Sequence, residues 1–419
     1  MDDRIKADWL GEPALQAVFD ALEQAGDAVR VVGGAVRNTL LGVAVSDIDI
    51  ATTAEPDTVI RRVEAAGLKA VPTGVDHGTV TVVSEGRAFE VTTLREDVET
   101  HGRHATVRFG RDWQHDAARR DFTMNALYAA RDGTLFDPVG GLPDLAARRV
   151  RFIGEADRRI REDYLRILRF FRFHAQYGEG EPDAEGLAAC ERLKDGLAGL
   201  SAERIGAEMR KLVGARGAVA TLEAMLDADI MPLVLVPHGG LAPFRALRAL
   251  DALCASTREP ALALAALSEG GEAELDALAD RLRLSNAERR RMKAARLAAD
   301  AARAKLAGGK PDPAEPEALR LSALELLYRH GREAATDGVL LAAAEARRAA
   351  DDAGLRALLA AVAALDVPRL PVSGGDLTKA GLAPGPKVGE GLRLAETHWI
   401  DSGFSLDRAA LVSAVLGRT

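Results

Sequence analysis

The chain has 419 residues, 47% of them apolar and 28% charged, with a formal net charge of −8. That length predicts more than one domain with ample core, and the composition is that of a globular protein. No apolar stretch is long enough to span a bilayer, no N-terminal signal pattern appears, and the two cysteines, Cys190 and Cys254, argue against a disulfide framework or a metal knuckle. A cytoplasmic location is the default expectation.

In chain order, the first informative stretch runs from Val31 to Ile50. A predicted strand over Val29–Val32 ends in Gly33-Gly34, and Arg37 follows on a short helix. A second strand, Ile48–Ala51, brings two aspartates that alternate with isoleucines. Side chains two apart on a strand share a face, so Ile48 and Ile50 enter the core while Asp47 and Asp49 project outward together. Two carboxylates beside a glycine turn that can meet phosphates form a site for Mg²⁺ carrying a triphosphate. A lone D-x-D or G-G is more often an edge or a turn. What raises this one is its order and the clusters downstream.

Strands are predicted next over Thr79–Ser84 and Ala88–Leu94, joined by a hairpin turn at Ser84–Arg87 containing Gly86. Glu90 lies on the second of these and can face the aspartate pair, as a further metal ligand or to orient an attacking hydroxyl. Arg119-Arg120-Asp121-Phe122-Thr123-Met124-Asn125 follows, and a guanidinium there can grip phosphate or ribose oxygens. His115-Asp116, just before it, reads as incidental.

After about residue 150 the pattern becomes helical, with Ala, Leu, Arg and Glu throughout and no convincing strand. Breaks are expected at Tyr177–Asp183, Pro237–Pro243, Gly308–Pro316 and Val367–Gly375, the third being the best linker. Despite the acidic total, Arg148–Arg172 carries a local charge of +5 and Arg281–Arg296 one of +6. Together these predict a polyanion-binding surface.

The first basic segment contains Glu162-Asp163-Tyr164-Leu165-Arg166-Ile167-Leu168-Arg169. As one helix, Ile160, Tyr164, Ile167, Leu168 and Phe171 form its core stripe, with Glu162, Arg166 and Arg169 on another. An Asp and an Arg side by side offer one acceptor edge and one donor edge. Cytosine and adenine present the matching amino donor and ring-nitrogen acceptor, whereas uracil and guanine present the inverse. The wrong base would leave polar groups unpaired at roughly 1–3 kcal/mol each. Asp163 and Arg166 would thus accept C and A, with Glu162 steadying the guanidinium.

These clusters together resemble the class II tRNA nucleotidyltransferases (CCA-adding enzymes) and the related bacterial poly(A) polymerases, in the polymerase-β-like superfamily. The likeness runs from about Val31 to Leu212. G-G-A-V-R with D-I-D is similar to the family's metal and triphosphate motif, R-R-D-F-T-M-N-A-L to its ribose motif and E-D-Y-L-R to its base-selecting motif. Asp137–Leu145 matches the connection between the last two. The tail segments from Pro371 to Leu377 and from Gly381 to Glu390 resemble family C-termini more weakly. The stretch from Thr73 to Val80 looks like CCA-adding enzymes, and the G-R-R-F signature of many poly(A) polymerases is missing. One departure is Asn38, where the family usually has Asp after the Arg of G-G-x-V-R.

The resemblance implies an α/β nucleotidyltransferase head over residues 1–147, then an all-α neck (148–236), body (237–310) and tail (311–419). It implies Mg²⁺ on Asp47 and Asp49, to which strand alternation adds Glu90 as a neighbouring carboxylate. Gly33, Gly34 and Arg37 would hold the triphosphate, Arg120 the ribose or phosphates, and Asp163 and Arg166 the base. Arg169 and Arg172 would line the same face, and Asp121 and Glu162 would support it. The implied reaction is template-independent CCA addition to tRNA from CTP and ATP, with no membrane and no obligate protein partner. Alternatives are a poly(A) polymerase or A-adding enzyme, a small-molecule nucleotidyltransferase, which the long helical body disfavours, and a catalytically silent RNA-binding protein.

Overall fold

The computed structural model describes residues 3–75, 78–101, 104–236, 238–268, 271–307 and 311–417, with the backbone alone for residues 96–108. Of the predicted features, Asp76 and His77, Pro237 and Gly308–Lys310 lie outside these. The chain divides into two compact units, Met1–Val234 and Leu235–Thr419. The boundary between them lies two residues before the expected end of the neck at 236.

The first unit is built on strands β1 (Val29–Val32), β2 (Asp49–Thr52), β3 (Lys69–Gly74), β4 (Thr79–Ser84), β5 (Arg87–Thr93), β8 (Tyr128–Ala129) and β9 (Leu135–Phe136). Their order is β3-β4-β5-β2-β1-β8-β9, and a separate hairpin joins β6 (Arg95–His101) to β7 (His104–Phe109). Every neighbouring pair is antiparallel except β2 with β5. That parallel pair sets Asp49 opposite Glu90. Alternation decides which side chains enter the core: Val80, Val82, Phe89 and Val91 are fully buried. The predicted hairpin is present, with Glu85 and Gly86 at φ of 50° and 78° between paired Ser84 and Arg87, the positive angles a tight two-residue turn needs.

Helices α1 (Pro13–Leu22) and α3 (Pro56–Ala65) pack on this sheet, and α2 (Gly34–Leu40) springs directly from the end of β1. Gly33 makes that corner at φ 69°, an angle that side-chain-bearing residues rarely adopt. Then come α4 (Trp113–Ala118), α5 (Gly141–Ala146), α6 (Ala156–Glu162), α7 (Leu165–Tyr177), α8 (Ala184–Leu193), α9 (Ala202–Val213), α10 (Ala218–Asp227) and α11 (Met231–Val234). Phe170 and Phe173 of α7 pack on Phe122 and Phe152, with ring centroids 5.0–6.4 Å apart. This aromatic cluster seats the neck on the head.

The single helix expected around Glu162–Phe171 is two helices. Asp163 is extended (φ −158°, ψ 107°) and Tyr164 begins the next turn. The Asp163 carboxylate caps that turn by accepting from the Leu165 N–H at 3.1 Å, a local bond that competes with helix continuation.

The second unit is helical throughout its described residues: α12 (Ala242–Ala249), α13 (Pro260–Ala266), α14 (Glu272–Arg281), α15 (Asn286–Leu306), α16 (Pro316–Glu345), α17 (Ala353–Ala364), α18 (Gly374–Lys379), α19 (Pro386–Asp401) and α20 (Arg408–Val415). Its centre is the α15–α16 crossing, where Gly338 lies so close to Ala298 that a Cβ there would come within 2.5 Å of it. The basic run Arg281–Arg296 is largely neutralised here. Arg289 pairs with Asp276 and Asp280, Arg291 with Asp337, Lys293 with Glu272, and Arg296 with Glu345. The predicted polyanion surface is therefore reduced by ion pairing that local charge could not reveal.

Candidate active site

A cavity of about 520 Å³ opens in the first unit. Its lining brings together Gly33, Gly34, Arg37, Asp49, Arg120, Asp121, Asp163, Arg166 and Arg169 of the predicted set, and adds Arg119, Asn125, Leu165, Phe173 and Arg204. Sheet acid, glycine corner and acid–arginine couple thus share one cleft. Six arginines face three aspartates, a formal +3.

Asp47 and Asp49 are both exposed and flank Ile48, which is buried at 2% exposure, as the alternation requires. Asp47 precedes the strand, and Ser46 Oγ donates to it at 2.9 Å. Desolvation raises the Asp49 carboxyl above its ordinary value, and the charges of Glu90 and Asp47 push the same way while Arg120 opposes. The charges of both neighbouring acids therefore reach Asp49. Among the described residues no cluster of three His, Cys, Asp or Glu side chains is gathered at metal-ligating range. The donor set is a carboxylate pair, which suits Mg²⁺, since that ion usually takes one or two carboxylates and completes its shell with phosphates and water.

Behind the lining arginines, Asp116 is 1% exposed and organises the Arg119–Arg120 pair. It accepts from Arg119 at 2.7 Å, from Arg120 at 3.1 Å and from the Tyr128 hydroxyl at 2.7 Å. Burial works against its charge, but the two guanidiniums win and hold the carboxyl below the usual range. His115-Asp116 is thus not incidental. Its acid lies four residues before Arg120, a helical spacing that could have identified it.

Asp121 accepts two bonds from Arg169, at 2.8 and 2.5 Å, one from Asn125 at 2.9 Å and one from the Phe122 N–H at 2.8 Å. Burial alone would raise its carboxyl, yet Arg169 and these donors bring it down to about 2.

The Asp163–Arg166 couple is held by other partners. Arg166 donates to Glu162 at 2.6 Å and to the Arg159 carbonyl at 2.8 Å, so Glu162 steadies it as expected. Asp163 accepts from Arg204 of α9 at 2.6 Å. That partner lies too far along the chain for local pattern to find.

One expected residue gains a second role, and one leaves the site. Arg37 is only 7% exposed, and its guanidinium donates to Asn38 (2.9 Å), Asn125 (2.5 Å) and the Tyr177 hydroxyl (2.9 Å). It bolts head to neck through neutral acceptors, and its charge reaches the cavity without an ion pair of its own. Arg172 is not part of the lining. It is buried in a pair with Glu208 of α9 and donates to Gln176 at 2.9 Å, because α7 turns that face toward α9. The other neck arginines are also paired, among them Arg149 and Arg151 with Asp144 and Arg161 with Asp157.

The family model for the poly A polymerase head domain matches residues 29–151. The human mitochondrial CCA tRNA nucleotidyltransferase 1 is 33% identical over 96% of this chain and 89% of its own length. The chain belongs to the CCA tRNA nucleotidyltransferase family. The CCA-adding enzyme of Geobacillus stearothermophilus is 40% identical over 51% of this chain and 52% of its own. A crystal structure of the Bacillus stearothermophilus CCA-adding enzyme in complex with CTP superposes with a TM-score of 0.75 at 29% identity. It covers 97% of this chain and 98% of that one. As a member of that family the chain is a tRNA nucleotidyltransferase with a polymerase-β-like head, and no described helix is long and apolar enough to cross a membrane.

Proposed function

We propose that this enzyme adds C, C and A to the 3′ end of tRNA from CTP and ATP, without a nucleic-acid template. The observation that carries this reading is the common cavity of Asp49, the glycine corner and the Asp163–Arg166 couple. Residues 1–147 serve as catalytic head, 148–236 as a neck that reads the base, and 237–310 and 311–419 as body and tail.

Asp47 and Asp49 would hold Mg²⁺, which when bound supplies Lewis-acid charge at the α-phosphate and favours ionisation of the attacking ribose hydroxyl. Glu90, beside Asp49, keeps the acid cluster strongly negative and can orient that hydroxyl. The net positive lining draws the triphosphate in, with Gly33 and Gly34 offering bare backbone and Arg120 a fixed guanidinium. Asp163 and Arg166 present acceptor and donor in the order that cytosine and adenine complement. Catalysis is chiefly positioning with charge stabilisation. The proteins it resembles include one solved with CTP, in keeping with this pocket.

The test offers tRNAs ending at the discriminator base, at C and at CC, with each nucleotide singly and Mg²⁺. CTP used on the first two and ATP on the third supports the proposal. Repeated ATP addition to any RNA end would identify a poly(A) polymerase instead.

A further inference from the structure

We infer that Arg159 is a positioning residue that ties the ribose-and-phosphate grip to the base-reading couple, so that nucleotide choice depends on it. This rests on the function proposed above. Arg159 sits on α6, is 7% exposed and does not line the cavity. Its Nη2 donates to the backbone carbonyls of Arg119 and Arg120, the latter at 2.6 Å, and its Nη1 donates to Glu162 Oε2. The same Glu162 oxygen accepts from Arg166 Nη1 at 2.6 Å, and Arg166 Nη2 approaches the Arg119 carbonyl at 3.5 Å. The bonds close a ring: Arg119 carbonyl, Arg159, Glu162, Arg166 and back to Arg119.

Two features make this ring a matter of specificity. First, Arg166 carries the donor edge, and its plane is set by bonds to Glu162 and the Arg159 carbonyl, with a longer approach to the Arg119 carbonyl. Second, Arg119 and Arg120 fix the other end of the nucleotide, and Arg159 and Arg166 donate to their carbonyls. A protein template rejects uracil only while donor and acceptor keep their places relative to the sugar. Once the guanidinium swings, it can meet a carbonyl oxygen, and the inverted pattern is no longer penalised. A lysine cannot substitute, since one ammonium lacks the planar fork that reaches two carbonyls and a carboxylate together.

The experiment uses the full chain, with Arg159→Lys, Arg159→Met and Glu162→Gln variants. It measures kcat/KM for CTP and for UTP separately on tRNA ending at the discriminator base, beside thermal midpoint and tRNA binding. The CTP-to-UTP ratio is expected to fall about tenfold or more in each, while tRNA binding stays within about twofold. A loss shared equally by both nucleotides, leaving the ratio intact, would overturn the role, since structural damage alone lowers both. If Arg159→Met does not fold, Glu162→Gln reads the same ring from its more exposed end. A wild-type chain that transfers no nucleotide to tRNA would sink the proposed function itself, a different outcome from an unchanged ratio.

Discussion

Replacing Asp121 by Asn separates the architecture of the pocket from its chemistry. The carboxylate is 10% exposed and collects two bonds from Arg169, one from Asn125 and one from the Phe122 N–H. Its fall from the ordinary 3.8 to about 2 corresponds to roughly 2.4 kcal/mol, at about 1.4 kcal/mol per tenfold change. The folded-state value lies below that of the unfolded chain. The stabilisation is therefore complete above about pH 4 and is lost as the pH drops toward 2. Orphaning a buried charge can cost about 3–5 kcal/mol, but Arg169 is 31% exposed and keeps Glu208 at 3.9 Å, so the lower figure governs. Urea unfolding read by tryptophan fluorescence should place Asp121→Asn about 2 kcal/mol below wild type at neutral pH, with the gap narrowing once the pH passes below about 4. A gap under roughly 0.5 kcal/mol at neutral pH, or one that persists undiminished into acid, would refute the reasoning.

Asp49→Asn should lower kcat/KM by at least about a thousandfold while raising the thermal midpoint, because partial desolvation of the carboxylate and the neighbouring acids disfavour its ionised form. Steady-state kinetics beside calorimetry would check both signs. Asn38→Asp places a carboxylate on Arg37 where a neutral amide now accepts at 2.9 Å. KM for nucleotide should rise about threefold, with kcat nearly unchanged, as the cavity loses positive charge. Asp163→Ala should cut discrimination against UTP by about tenfold to a hundredfold, the range that one unpaired buried group implies, measured in competition between labelled nucleotides. Asp116→Asn withdraws the acid shared by Arg119 and Arg120, and kcat/KM for both CTP and ATP should fall on the order of tenfold or more. Equal kinetics in wild type and variant would remove Asp116 from the pocket's framework.

The parts readable in the sequence were those written in local pattern. Alternation in Thr79–Ser84 and Ala88–Leu94 marked β4 and β5 because each has one face in the core, while around Ile48 and Ile50 it marked the start of β2, whose later residues are buried on both faces. The same rule put Asp47 and Asp49 outward and Glu90 near them. The charged β6 and β7 and the two-residue β8 and β9 carry too little periodicity to announce themselves. The break at Asp163 was hidden, since neither glycine nor proline marks it and the cap is a side chain bonding two residues on. Long-range pairing was equally hidden. Arg172 reads as one more cation in a basic run, yet Glu208, 36 residues away, claims it, and Arg204 reaches Asp163 from 41 residues away. A charge count along the chain sees the arginines together and their acids apart, so it overstated the basic surface of both segments.

Arginines outnumber acids two to one around the cavity, and Asp116 alone answers two of them. Like charges so close repel, and only the surrounding bonds restrain them. A polyanion entering there relieves that strain as mortar does between stones. This enzyme should therefore tolerate more heat with its substrate bound, and tightening of the head and neck should accompany recognition rather than follow it.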